Sequence, residues 1–326
     1  MSMQAMVMKA LGEPRDLELV ISPDPEPGAG EIAIDVRAVG CNFFDILLCQ
    51  GSYQVKPPLP FSPGAEVAGL VRAVGPGVAG FARGERVFAM LGFGGYATVV
   101  IVPADTAAHL PDAMPFEHAA AFGIVYQTAY FGLIHRAGLQ RGETLLVHAA
   151  AGGVGLAAVQ IGRALGARVL ATAGSAAKCA VAREHGAAEA FDYGSPQWVD
   201  AVREATGGRG ADVVFDPVGG DVFDLSTKCI AFGGRLLVIG FASGRIPAIE
   251  ANRILLKNIA VVGLHWGAYR GHDPALVQDA QRALFAMYER GQLRPVVSST
   301  HPLRNAALAL DEIASRRNVG KVVLLP

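Results

Sequence analysis

Three glycines fall within the run Ala149-Ala-Ala-Gly152-Gly153-Val154-Gly155, directly after the apolar stretch Thr144-Leu-Leu-Val-His148 and before a segment of helical length. A strand that runs into a glycine turn opening a helix is the setting of a dinucleotide phosphate site. Gly152 and Gly153 let backbone approach a pyrophosphate, and Gly155 lets the helix lie close to the strand. The helix N-terminus adds unpaired N–H groups and a partial positive charge. Ala150 stands at the first glycine of the strict G-x-G-x-x-G pattern, so the loop taken alone is equally a simple turn. About 20 residues on, where an acid would hold a ribose 2′-hydroxyl and select NAD, the chain reads Leu170-Ala-Thr-Ala-Gly174-Ser175-Ala-Ala-Lys178 with no carboxylate. Ser175 can donate to a 2′-phosphate and Lys178 can neutralise it. Ser175 also suits a helix cap and Lys178 a solvated face; the missing acid favours NADPH.

The surrounding pattern supplies the elements such a loop needs. From about Phe116, strand-like runs at 144–148, 168–172, 211–215, 235–239 and 259–262 alternate with candidate helices at 154–166, 176–186 and 196–206. That alternation predicts parallel βαβ crossovers and a sheet covered on both faces. Before residue 110 the chain instead shows short β-rich runs, 31–39, 66–74 and 96–102, between Pro-Gly and Gly-Gly turns, which predict a compact β domain. A last helix over 274–290 and a strand over 321–325 cannot simply extend a parallel sheet and are assigned back to the first domain. The expected division is 1–122 with 266–326 for the β-rich domain and 123–265 for the Rossmann-type doubly wound domain.

Composition narrows the partners. Of 326 residues, 52% are apolar and 17% charged, and 28 basic against 29 acidic side chains leave a net charge of −1. That balance gives no electrostatic footprint for nucleic acid and no polybasic membrane patch. The uncharged runs 87–104 and 144–162 are long enough to span a bilayer, but their glycines read as turns inside a globular core. Cys41, Cys49, Cys179 and Cys229 make no C-x-x-C pair or metal spacing, which suits reduced thiols. No secretory pattern opens the chain, so a cytoplasmic location is expected. The apolar run 259–262 would be an exposed sheet edge unless paired with a second copy, so a homodimer is expected.

Several motifs in order, Cys41-Asn-Phe-Phe-Asp45, Gln50-Gly-Ser-Tyr53, Pro57-Pro-Leu-Pro-Phe61, Pro63-Gly-Ala-Glu66, the glycine loop, Gly210-Ala-Asp-Val-Val-Phe-Asp216 and Gly320-Lys-Val-Val-Leu324, resemble the zinc-independent quinone oxidoreductases. These are the zeta-crystallin-like branch of the medium-chain dehydrogenases/reductases. The resemblance implies a GroES-like substrate domain from both chain ends, a Rossmann-type cofactor domain between, and a cleft at their junction. Zinc-dependent relatives carry metal ligands in G-x-C-x-x-D and G-H-E segments. Here Asn42 and Ala65 replace the cysteine and histidine, and neither can supply a thiolate or imidazole, so no catalytic metal is expected. Cys41, one position away, reads as a buried small residue.

By the same resemblance Asn42, Asp45 and Tyr53 line the catalytic cleft, with Tyr53 as donor to the substrate oxygen and Asn42 as its orienting partner. Read without it, Asn42 satisfies a turn, Asp45 caps a short helix and Tyr53 is a half-buried loop aromatic. Gly174, Ser175, Lys178 and Tyr193 are implied on the ribose and 2′-phosphate side, and Phe241, Ala242, Leu264, His265 and Trp266 beside the nicotinamide. His148 reads as a satisfied core imidazole and His265 as a lining residue. Arg317 and Lys321 could reach the cofactor or be solvated surface. The implied activity is NADPH-dependent reduction of a quinone. Reduction of α,β-unsaturated carbonyls or enoyl thioesters is the alternative within the same chemistry, and a non-catalytic NADPH-binding protein the alternative outside it.

Overall fold

The computed structural model describes residues 2–195 and 197–326. Its strands are β1 (Ser2–Val7), β2 (Glu18–Pro23), β3 (Glu31–Gly40), β4 (Glu66–Val74), β5 (Arg86–Met90), β6 (Val99–Pro103), β7 (Ala107–His109), β8 (Thr144–Val147), β9 (Arg168–Ala173), β10 (Glu189–Asp192), β11 (Ala211–Asp216), β12 (Ile230–Val238), β13 (Ala260–Gly263), β14 (Val297–Pro302) and β15 (Lys321–Leu325). The α-helices are α1 (Phe43–Cys49), α2 (Phe116–Ala120), α3 (Gly123–Tyr130), α4 (Gly153–Ala164), α5 (Ala176–Glu184), α6 (Trp198–Ala205), α7 (Gly220–Cys229), α8 (Ala251–Lys257), α9 (Trp266–His272), α10 (Pro274–Glu289) and α11 (Ala306–Ala314). They form two compact units, one of residues up to 124 with 295–326, the other of residues 125–294.

In the first unit a sheet runs β14-β15-β3-β4-β5-β7, with β6 also paired to β3, and β1 and β2 form a separate antiparallel pair. Every pairing in the larger sheet is antiparallel except β14 with β15. The C-terminal strand enters beside β3, so the unit is closed by both ends of the chain. Glycine permits its closest approach: a Cβ on Gly40 would sit 2.0 Å from the Ala120 carbonyl and 2.6 Å from Glu66 Oε1.

The second unit is a six-stranded sheet in the order β10-β9-β8-β11-β12-β13, parallel throughout. That is the doubly wound order in which the strand sequence reverses beside the first strand, here β8. All four residues of β8 are buried, as expected of a strand covered on both faces. Gly162 lets α4 press onto the sheet, since a Cβ there would meet Leu145 Cδ2 at 2.5 Å.

Three readings of the sequence change. Residues 266–294 pack in the second unit, not with the returning tail. Polar locks explain why: Gln127 Nε2 donates to the Val277 carbonyl (3.1 Å) and to Gln281 Oε1 (3.0 Å), and Gln160 exchanges two hydrogen bonds with the Arg294 backbone. Strand β10, which only Ala190 and Phe191 mark as apolar, is a half-buried edge that periodicity does not reveal. Strand β12 begins at Ile230, ahead of the expected 235, because Ile230 pairs with Ala211 before the register shifts. Pro196, expected to open a helix, lies outside the described residues, and α6 starts at Trp198. The runs 87–104 and 144–162 resolve into strands, turns and one helix, and no described helix is long and apolar enough to cross a membrane.

Candidate functional site

Because all six strands of the second unit are parallel, their carboxyl ends share one edge. The glycine loop follows β8, Gly174 and Ser175 follow β9, Tyr193 follows β10, Phe241 and Ala242 follow β12, and Leu264, His265 and Trp266 follow β13. In open α/β sheets that edge is where ligands bind. Gly155 answers a steric need: its Cβ would meet the Ala149 carbonyl at 2.3 Å and Ala150 Cα at 2.7 Å. Ala149 takes the left-handed conformation at φ +48°. Gly152 is the N-cap of α4, no side chain caps that helix, and its first turn carries no acid. The turn therefore keeps its positive end for an anion.

On the next strand Ser175 is the N-cap of α5, and its Oγ accepts the Lys178 N–H at 3.3 Å. The cap and the phosphate reading coexist, since the Ser175 hydroxyl hydrogen stays available to donate. Tyr193 lies against Gly174, whose Cβ would be 3.4 Å from the Tyr193 hydroxyl. Asp216, at the end of β11, accepts the Val218 and Gly219 N–H groups on Oδ1 (2.7 and 3.0 Å). Its Oδ2 and the buried Trp266 Nε1 have no partner among the described residues. Uncapped helix, glycine approach and orphaned polar atoms all fit a dinucleotide along this edge. Sequence reasoning missed Asp216, although an acid closing an apolar strand was the available signal.

The first unit holds a buried polar cluster. Asp45, three residues into α1, accepts the Asn42 N–H on Oδ2 (2.8 Å) and the Gly64 N–H on Oδ1 (3.1 Å), and Tyr96 donates to Oδ2 at 3.1 Å. Lys321, at the start of β15, is 5% exposed; its Nζ donates to Cys41 O (2.6 Å), Asn42 Oδ1 (2.6 Å) and Glu66 Oε1 (2.8 Å). Asn42 Nδ2 donates to Glu66 Oε1 at 2.9 Å and Gly40 O at 3.3 Å, while Glu66 Oε2 accepts the Ile124 N–H at 2.8 Å. The partners fix the orientation of the Asn42 amide, since an ammonium can only donate and a carboxylate can only accept.

Lys321 is thus neither surface nor cofactor contact but a buried cation, whereas Arg317 is exposed and paired with Asp311. Asn42 has its whole amide committed within the cluster. Tyr53 stands apart from it, half-buried and stacked on Phe44 at 5.3 Å, and among the described residues its hydroxyl has no hydrogen-bond partner. Burial, with the nearby Asp45 charge, raises its phenol above the usual value, which keeps it a donor. The sequence marks Lys321 only as a possible cofactor contact or surface charge and does not mark Glu66 as a site residue; a lone charge at the head of an apolar strand is the signal in both.

The zinc site implied by the wider family does not fit these residues. Asn42 and Ala65, which the resemblance sets at the ligand positions, offer an amide and a methyl group, Glu66 is bound to Lys321, and Cys41 is buried with its thiol pushed up to about 12 by burial. Among the described residues no group of three His, Cys, Asp or Glu could hold a metal ion. His148 is buried with both ring nitrogens bonded, Nδ1 to Thr172 Oγ1 (2.7 Å) and Nε2 to Ser226 Oγ (2.8 Å). Ser226 spends its hydrogen on the Val222 carbonyl, so Nε2 carries the imidazole proton, and burial lowers the pKa to about 3. His265 is exposed at the N-cap of α9.

Two predictions follow from the cluster. Lys321→Met strands a buried carboxylate and should cost about 3–5 kcal/mol in urea unfolding, with partial recovery in Lys321→Met/Glu66→Leu. A single variant as stable as the wild type would refute the pairing. Burial raises the Asp45 carboxyl from 3.8 to about 6 against the pull of its three donors. An acid whose pKa is higher folded than unfolded holds its proton more tightly when folded. Its contribution is therefore complete below about pH 4 and is lost as pH rises to about 6, amounting to about 3 kcal/mol. The stability difference between wild type and Asp45→Asn should fall across that window and level off above it; a difference independent of pH would contradict the assignment.

Two family models match the chain, "Alcohol dehydrogenase GroES-like domain" over residues 28–112 and "Zinc-binding dehydrogenase" over residues 153–282. The quinone oxidoreductase-like protein 2 homolog of Nematostella vectensis is 40% identical over 99% of this chain and 89% of the relative. The quinone oxidoreductase of Pseudomonas aeruginosa is 38% identical over 97% of this chain and 98% of its own. Among solved structures, the Escherichia coli quinone oxidoreductase complexed with NADPH superposes with a TM-score of 0.92 at 32% identity, covering 99% of this chain and all of that one. With these matches over nearly its whole length, and with the two sheets just described, the chain belongs to the quinone oxidoreductase family of the medium-chain dehydrogenases/reductases.

Proposed function

We propose that the protein is an NADPH-dependent, metal-independent oxidoreductase that reduces quinones. The observation that carries this reading is the uncapped α4 behind a loop where Gly155 is sterically required, on the edge where β9 ends in Ser175 with no acid beside it. Support for the acceptor comes from the relatives named quinone oxidoreductases and for the cofactor from the Escherichia coli protein's NADPH complex. The α4 N-terminus would hold the pyrophosphate, with Gly152 and Gly153 allowing close approach, while Ser175 Oγ and the Lys178 ammonium take the 2′-phosphate. NADPH bound there supplies a hydride to a conjugated carbonyl acceptor. Tyr53 donates to the acceptor oxygen as negative charge develops, a contact worth about 3 kcal/mol in other enzymes. Asn42 and Asp45 act as positioning residues that hold the start of α1, because their polar atoms are engaged within the protein.

The reading extends to assembly and location. Strand β13 pairs only with β12 and is half-exposed, and Ile246, Leu255 and Leu256 are more than two-thirds exposed in the same unit. Apolar surface of this kind beside an open edge suits a second copy of the chain. Four buried, unpaired cysteines suit a reducing compartment, and the proposed location is the cytoplasm.

Steady-state oxidation of NADPH against a panel of quinones and enones tests the activity. Quinones should turn over, Lys178→Ala should abolish a preference for NADPH over NADH, and Tyr53→Phe should lower kcat/KM about 10²-fold. No turnover with any acceptor would leave the binding-protein reading ahead, and equal use of both nucleotides by the wild type would overturn the cofactor assignment. Light scattering at micromolar concentration should report a dimer; a monomer would remove the assembly proposal.

A further inference from the structure

A cavity of about 280 Å³ opens at the amino edge of the parallel sheet, the edge away from the glycine loop. Its wall is built where α6, α7 and α8 end and β11 and β12 begin, and it contains Arg203, Arg209, Lys228 and Lys257 but no acidic side chain. The volume lies just below the range for drug-sized ligand sites, about 300–1,000 Å³, and so suits a small ligand. Four cations around one concavity repel one another unless something of opposite sign intervenes.

The charges nearby account for only part of the balance. Arg209 is neutralised by Asp212, whose Oδ2 also accepts the Thr144 N–H at 2.7 Å. Lys257 Nζ donates to the last-turn carbonyls of α7, Thr227 O at 2.9 Å and Lys228 O at 3.4 Å, so it caps a helix. Burial holds its ammonium below the usual lysine value, and the Arg203 charge pushes in the same direction. Arg203 and Lys228, both exposed, have no carboxylate partner among the described residues. Helix-end carbonyls carry about half a charge per helix and cannot offset the remaining cations.

We propose that this cavity is a binding site for a small phosphate-bearing polyanion. Arg203 offers a planar fork that suits two phosphate oxygens, and Lys228 and Lys257 add point charges to the same wall. The site is independent of the nucleotide edge, because it uses the opposite ends of the same strands.

Calorimetric titration of the full-length protein with inorganic tripolyphosphate at fixed ionic strength tests the proposal. With the nucleotide edge first saturated with NADP+, the wild type should show saturable one-site binding, Arg203→Gln/Lys228→Gln should weaken it at least tenfold, and Lys228→Glu alone should weaken it measurably. Lys178→Ala, on the carboxyl edge, should bind tripolyphosphate as the wild type does. The proposal is overturned by absence of saturable binding, by a double variant that binds as tightly as the wild type, or by loss of binding in Lys178→Ala. Both mutated side chains are exposed, so thermal melting should give the variants the Tm of the wild type; a large drop would shift the decision to Lys228→Glu alone.

Discussion

The ion pair between Lys321 and Glu66 is the constraint on which the first unit depends. An ammonium has three hydrogens, and with Lys321 only 5% exposed each must find an acceptor inside the protein. The three acceptors are the Cys41 carbonyl, Asn42 Oδ1 and Glu66 Oε1, at 2.6, 2.6 and 2.8 Å. They come from the link after β3 and from the head of β4, so one side chain of the last strand fixes the start of α1 and the sheet together. A buried pair of this kind adds little over apolar residues of similar volume, yet losing one partner is costly. Its consequence is specificity of arrangement: the returning tail has one register in which all three bonds form.

The second unit is organised by packing instead. Small residues bring α4 onto the sheet, and Gly155 and Gly162 are positions where a methyl group would strike the loop backbone or Leu145. His148 shows that polarity within this core is satisfied: a neutral imidazole joins Thr172 on β9 to Ser226 on α7. Against that background the unpaired atoms are informative. Among the described residues, Asp216 Oδ2 and Trp266 Nε1 belong to residues just at or after the ends of β11 and β13, on the carboxyl edge of the sheet, while the other two unpaired atoms belong to the mutually bonded Gln127 and Gln281.

The sheet of the second unit was readable because runs such as Thr144–Val147 are apolar without alternation and are separated by helix-length segments, a pattern that requires burial on both faces. Edge elements were harder. Glu189-Ala-Phe-Asp192 carries too little apolar signal to mark a strand, since only one side of β10 pairs. The periodicity of helix α10 shows the helix but not its unit, because an apolar stripe does not say which surface it meets; Gln127 and Gln281 settle that, and their contact spans 154 residues. The resemblance points to Asn42 and Asp45, but the partners that commit them, Lys321 and Tyr96, are distant in sequence and legible only as a charge and an aromatic at the heads of apolar runs.

These commitments bear on the chemistry proposed. Within the cluster the ammonium, amide and phenol hydrogens are already given: three from Lys321, two from the Asn42 amide and one from the Tyr96 hydroxyl. Those three side chains therefore act as a frame and not as donors to an acceptor. The Lys321 charge is matched by Glu66, so no strong field is left over from that pair to attract an anionic or cationic substrate. A neutral conjugated carbonyl needs no such field. Its reduction takes a hydride, a hydrogen bond at the oxygen where charge develops and a proton from solvent to complete the balance; in the proposed reading Tyr53, stacked on Phe44 outside the cluster, makes that hydrogen bond.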